Sequence, residues 1–298
     1  MKITQFLAAF GLVLTLTILA AAPPAQAVQQ AGLEWGGDAL EVNRDSQGYL
    51  YVSDGTLNKI WQIRTSDGYY QTYSFSHKVR DAQPGNYNRI WWVSDDNKFG
   101  YVNPGSPIEY SWELGIDPYP ILHSLAPDGQ GGIWMGESGL YDENSRLFHF
   151  NPGDRRFCQY DLPGGAPSHD LLYQSGYIWL ADSRSGRLFR ISLGSSGISY
   201  IFWQANPDGL AWGIDFDGRY LWWADINMRA IGRLDTEPDQ DLATYYYLPD
   251  GYSPITVKLD KGQAWYTTQG NRVGTLFPAL AQGDSMNLYR EEWLAGTE

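Results

Sequence analysis

Asp38, His77, Tyr119, His169, Asp208 and Ser253 each stand just ahead of an apolar run, and each side chain can hydrogen-bond or ligate. Two carboxylates and two imidazoles brought to one place would be costly to leave unpaired, so a convergent set implies a cation site or an acid/base constellation. Aspartates favour Mg²⁺ or Ca²⁺ and imidazoles favour Zn²⁺ or another transition ion, and the residue types leave that choice open. The plain alternative is the solvated lining of a water-filled channel. A second acidic set, Asp54, Asp95, Glu137, Asp182 and Asp225, follows short aromatic runs such as Trp179-Leu180-Ala181-Asp182. A group present in nearly every copy of a repeat is expected to cap that repeat's own turn. Glu137 differs as the only glutamate, beside an insertion at 139–145, and is kept as a catalytic candidate. The insertion, with Asp142, Glu143 and Asn144, reads as a lid or cation loop, or as a solvated loop. His123, inside Ile121-Leu122-His123-Ser124-Leu125, is expected to be packed, and His149 to be structural. Cys158 reads as a small strand residue. No serine-nucleophile, Walker, HExxH or CxxC pattern occurs.

Whether the first set can meet depends on the elements that carry it. Using the acidic end of the second run as a marker, the copies fall at Asp54, Asp95, Glu137, Asp182 and Asp225, with Thr268 as a degenerate sixth. The steps are 41, 42, 45, 43 and 43 residues. The clearest copy, 206–248, holds four β-branched and aromatic runs separated by Gly, Asp and Pro turns, which is the pattern of an antiparallel meander. A period of about 40 to 45 residues with four strands per copy specifies a six-bladed, all-β propeller of four-stranded antiparallel blades. Gaps between radiating blades widen outward and need large side chains, and 15% aromatic residues with 13 Trp and 21 Tyr supply them. In such a meander the loop entering the innermost strand, A, and the loop leaving strand B share one face of the disc. The six residues of the first set are therefore expected to ring one mouth of the central channel.

Lys2 precedes a long apolar run, Phe6 to Ala22, followed by Pro23-Pro24 and Ala25-Gln26-Ala27. This is the layout of a cleaved secretory signal peptide over 1–27, leaving one propeller domain over 28–298 in a secreted or periplasmic protein. The single cysteine excludes an internal disulfide, so core packing and ring closure must supply stability. A net charge of −13 argues against nucleic acid and anionic membrane surfaces and leaves cations or neutral ligands. The expected partners are a small molecule, peptide or glycan bound by a monomer. Either residues 30–35 add a strand to blade six, or the C-terminal segment completes it, with 286–290 as its last strand.

The repeat resembles the streptogramin lyase (virginiamycin B lyase) family through its recurring "W-x-x-D/E, gap, I-G-R-L, polar turn, aromatic run, L-P" pattern. Here that pattern appears as Trp223-Ala224-Asp225, Ile231-Gly232-Arg233-Leu234 and Leu248-Pro249. The resemblance implies a carbon–oxygen lyase that linearises a cyclic depsipeptide by elimination at its ester, with Mg²⁺ and with histidines at the entries to strand A. By position that motif lands on His169 and, less closely, on His77. The family's rings have seven blades where six are counted here, and its entry histidines come from neighbouring blades, whereas the entries flanking His169 read Tyr119 and Asp208. A second likeness, of Pro207-Asp208-Gly209-Leu210-Ala211-Trp212 to the P-N-G-L-x-W segment of gluconolactonase-type proteins, implies a metal-dependent lactonase with Asp208 as a ligand and Glu34 as its carboxylate partner. The expectation is lyase-type ring opening, with His169 as general base and Asp208, His77 or Asp38 holding a divalent cation. The lactonase and a non-catalytic binding propeller stand as alternatives.

Overall fold

The computed structural model describes residues 28–31, 39–64, 66, 69–106, 108–116, 120–138, 145–194, 197–206, 208–237, 240–269 and 273–293. The signal-peptide segment, Glu34, Asp38, Tyr119 and residues 139–144 of the insertion lie outside the described residues. The described chain forms six antiparallel sheets in succession, as the repeat predicts. Strands A to D are Ala39–Arg44, Tyr49–Asp54, Lys59–Arg64 and Tyr70–Ser74 in blade one, and Val79–Gly85, Arg89–Ser94, Lys98–Val102 and Glu109–Glu113 in blade two. Blade three has Leu122–Pro127, Ile133–Glu137, Arg146–Asn151 and Arg156–Asp161. Blade four has Ser168–Gln174, Tyr177–Asp182, Arg187–Gly194 and Gly197–Gln204. Blade five has Ala211–Phe216, Tyr220–Asp225, Ala230–Asp235 and Leu242–Tyr247.

Blade six supplies only three strands from its own stretch, Pro254–Asp260, Gln263–Thr268 and Val273–Leu276. Its outer position is taken by the N-terminal strand Val28–Ala31, which pairs antiparallel with strand C, Val28 opposite Leu276 and Ala31 opposite Val273. The expectation that 286–290 completes blade six is therefore corrected. With that edge filled, the C-terminal segment runs back over the preceding blades. Asp284–Asn287 adds a fifth strand to blade five, and Tyr289–Trp293 adds a fifth to blade four. Leu288 between them is buried in the cluster that holds Trp203 and Tyr245, and its N–H donates to the Asp241 carbonyl.

The repeat's third run follows from packing inside each sheet. At one cross-strand pair, blades two, five and six set an aromatic on strand B against glycine on strand C: Trp92 with Gly100, Trp223 with Gly232, Tyr266 with Gly274. Blades one, three and four reverse the volumes, with Val52 opposite Trp61, Met135 opposite Phe148 and Leu180 opposite Phe189. The space between blades thus receives one large ring per pair whichever strand carries it. A Cβ on Gly232 would stand 2.1 Å from the Trp223 ring.

At the axis, the inner edge of every strand A has no further strand to pair with, so side chains must satisfy it. Asp81 Oδ2 accepts the Leu125 N–H at 3.0 Å, Asp170 Oδ2 accepts that of Ile214 at 2.8 Å, and Asp215 Oδ2 accepts that of Leu259 at 2.6 Å. Each bond joins strand A of one blade to strand A of the next. Asn43 continues the lacing, donating to Asp81 Oδ1 at 2.8 Å and to the Ala82 carbonyl at 3.1 Å. Lys258 Nζ supplies the counter-charge, 3.2 Å from Asp170, 3.0 Å from the Ile214 carbonyl and 3.7 Å from Glu41. Burial, with the Asp170 charge next, pushes Asp81 up to about 7. Burial also holds Glu41 well above, and Asp215 above, the usual carboxylate range.

Two outcomes are expected. Gly232→Ala destabilises the fold by about 1–3 kcal/mol through overpacking, read from chemical denaturation midpoints. The axial acids hold protons in the folded chain that the unfolded chain releases, so their stabilisation is fully present in the ordinary carboxylate range and is lost as pH rises through about 7. Acidification from about pH 8 to the imidazole range therefore raises Tm in calorimetry. Below the ordinary imidazole value of about 6.5 the gain is opposed by His77, His123 and His169, whose pKa values burial lowers in the folded chain.

Candidate functional site

Every strand A carries a β-bulge at the same place, where one extra residue interrupts its pairing with strand B. The irregularities fall between Ala39 and Glu41, Val79 and Asp81, Leu122 and Ser124, Ser168 and Asp170, Ala211 and Ile214, and Pro254 and Thr256. A bulge re-aims its extra side chain, and the six bulge positions are Leu40, Arg80, His123, His169, Trp212 and Ile255. Four of these, from consecutive blades, form one group. The rings of His123 and His169 are 4.4 Å apart, and Trp212 stacks on His169 with centroids 4.1 Å apart and 23° between planes. The Arg80 charge bears on both imidazoles, and Arg80 Nε donates to Asp95, which directly follows strand B of the same blade.

The hydrogen bonds define the protons. His123 Nδ1 lies 3.1 Å from the His169 carbonyl, which can only accept, so Nδ1 carries the hydrogen and Nε2 keeps its lone pair. His169 Nδ1 is buried and has no hydrogen-bond partner among the described residues. Burial first, then the Arg80 charge, depresses His123 to about 4. Burial, followed by the His123 and Arg80 charges, holds His169 well below the usual imidazole value. Both rings are therefore neutral at pH 7, and the arrangement offers two imidazole lone pairs, one guanidinium and one indole face at a single mouth.

Of the described members of the expected ring, only His169 sits in this group. His77 is buried between blades one and two, 4.7 Å from the Trp92 ring and 5.7 Å from Phe75, with Nε2 3.7 Å from Glu109 on the outer strand of blade two. It faces away from the axis, and burial lowers its pKa. Asp208 is an exposed turn residue whose N–H donates to Asn206 Oδ1 and whose carbonyl accepts from Asn227. Ser253 precedes strand A of blade six, and its carbonyl accepts the Gln269 N–H. Glu137 is not poised for catalysis: it is 4% exposed and clasps Arg146 through Nε at 2.7 Å and Nη2 at 2.8 Å. Its relatives act as turn caps, Asp54 accepting the N–H groups of Thr56 and Leu57, Asp182 those of Arg184 and Ser185, and Asp225 those of Leu210 and Met228. His149 is structural, bonded to Asp128 at 2.9 Å and stacked on Trp134, and Cys158 is exposed on the outer strand of blade three.

The sequence pattern places His123 in the packing and does not point to Arg80 or Trp212. A signal for all three was present. The bulge residue lies 13 to 15 residues ahead of the marker that ends strand B in every copy, whereas the expected ring scatters from 13 to 18. Loops entering strand A vary in length, and strand-to-strand pairing does not, so alignment on the turns slipped by up to four residues. With His123 in place, histidines do come from neighbouring blades. A divalent cation fits this mouth poorly: Arg80 places a positive charge beside both imidazoles, and among the described residues no three His, Cys, Asp or Glu side chains converge as ligands.

No protein-family model matches the chain, and no curated protein matches it. Among solved structures, virginiamycin B lyase from Staphylococcus aureus is 20% identical, with 91% of this chain and 89% of that one covered and a TM-score of 0.67. A catalytically inactive histidine-to-alanine form of that lyase with quinupristin is 16% identical over 84% of this chain and 98% of the other, at a TM-score of 0.62. Regucalcin from Agrobacterium tumefaciens, a calcium-binding protein, is 13% identical over 81% and 93%, at a TM-score of 0.60. The chain has the fold of the streptogramin lyase propellers, in a ring of six blades.

Proposed function

We propose that the chain is an exported propeller that opens a cyclic ester by elimination at the strand-A entry mouth. The observation that carries this reading is the pair of neutral imidazoles from adjacent blades, His123 and His169, set between Arg80 and Trp212. Elimination needs a base for a C–H proton α to a carbonyl and a stabiliser for the carboxylate that leaves. His169 is the base, through the lone pair of a ring whose Nδ1 has no described partner. As the proton moves to His169, the new C=C bond forms and the Cβ–O bond breaks. The ester oxygen leaves as a carboxylate beside the Arg80 guanidinium, which needs no metal to meet it. The His123 imidazole bonds to the His169 backbone carbonyl, positioning the two rings side by side. Trp212 presents an aromatic face on which an apolar portion of a depsipeptide can pack. The inactive histidine-to-alanine lyase with quinupristin supports the assignment of a histidine base by analogy of fold.

The test is incubation of the mature chain with quinupristin, followed by mass spectrometry. Elimination gives a linear product isomeric with the substrate, whereas a lactonase would add the mass of one water. His169→Ala and His123→Ala are each expected to lower kcat/KM by about 10²-fold or more. Unaltered turnover in His169→Ala, or no ring opening by the parent chain, would refute the reading. Because burial and the neighbouring positive charge hold the base His169 well below the usual imidazole value, the rate should be flat across neutral pH and fall only on acidification well below that value.

A further inference from the structure

The opposite mouth of the channel, where strands A turn into strands B, carries a feature that ester opening does not use. Two cavities of about 580 and 540 Å³ share Arg44, Asp45, Ser46, Gln83, Leu172 and Tyr173, so they are halves of one basin of ligand size. On its rim, the hairpin of blade two holds Tyr87 and Asn88 at φ 61° and 57°. Consecutive left-handed residues belong to a turn that favours Asn and Gly, and a tyrosine there is strained. The residue is also 72% exposed. Packing alone accounts for neither cost.

The surroundings hold that ring in place. Asn86 donates its side-chain amide to the Gly129 carbonyl of the neighbouring blade. Gly131 leaves room for the ring, since a Cβ there would stand 2.7 Å from Tyr87 Cε2. The Arg89 guanidinium lies 5.3 Å from the Tyr87 centroid and 4.3 Å from that of Tyr101, bracing the hairpin from behind. An exposed, fixed aromatic face over a basin lined by side-chain amides and hydroxyls suits a sugar ring, whose C–H face packs on the aromatic while its hydroxyls meet the amides.

We infer that this basin is a binding cleft for a neutral oligosaccharide, with Tyr87 as its stacking platform. Neutrality follows from most of the lining charges being engaged within the protein: Arg44 pairs with Asp260, Asp45 binds the Gln47 and Tyr49 N–H groups and the Tyr51 hydroxyl, Lys258 pairs with Asp170, and Asp217 accepts from Arg219, Tyr220 and Trp222, which leaves Lys261 exposed at the edge. The chain's net charge of −13 also disfavours an anionic polymer. A peptide added as a strand would need a free strand edge, which hairpin turns do not supply.

The experiment titrates the mature chain with cellotetraose, chitotetraose and maltotetraose by calorimetry, for the parent and for Tyr87→Gly. Binding of at least one sugar is expected, weakened about tenfold or more in Tyr87→Gly, as for a truncated aromatic anchor. Glycine is at ease at this φ, so the variant should melt at or above the parent. No binding of any of the three sugars, equal binding by Tyr87→Gly, or a lower melting temperature in that variant would each overturn the inference, the last by showing that the ring is retained for packing.

Discussion

The inner edge of each strand A is the constraint on which this molecule depends. Six strand edges face one another around the axis with no seventh element to pair them, and backbone groups left unmet there would be expensive. Asp81, Asp170 and Asp215 meet this demand by reaching from one blade to the backbone of the next. That solution concentrates negative charge in a buried space, and Lys258, beside Asp170 and Glu41, offsets it. The axis is therefore a structural seam with polar chemistry of its own, and it separates two mouths with different character.

The bulge just before that seam explains why one mouth gathers side chains that strand pairing does not use. Beyond the bulge, strand A is committed to lacing neighbouring blades together. At the bulge itself one residue per blade is released from pairing, so its identity can vary without breaking the ring. Leu40, Arg80, His123, His169, Trp212 and Ile255 show that freedom, being apolar, cationic, imidazole or aromatic at one geometric position. In four consecutive blades these residues form one group, in which the side chains of the histidines and Trp212 touch and the Arg80 charge is felt.

The architecture was legible in the sequence because its signal is repeated six times and rests on strand patterns that packing enforces. The interchange of Trp223 and Gly232 with Leu180 and Phe189 is visible as a repeat once both strands are read together. The site was legible only at His169. Register at the mouth is set by a bulge, which has no residue signature, and the neighbouring loops differ in length. His77 and Asp208 look like mouth residues when counted from the turns and are not when counted from the strands. The C-terminal segment misled for another reason: its alternating pattern declared a strand, while the identity of its partner depended on which edges remained free.

The closure of blade six by Val28–Ala31 carries a consequence for biogenesis. The earliest of the described strands to be synthesised finds its partner only when the last blade has been made, nearly the whole chain later. Blades one to three can each assemble from contiguous sequence as they emerge, whereas the ring stays an open arc until synthesis is almost finished. The slowest event in maturation should then be this final clasp, whose loop entropy spans almost the full polypeptide.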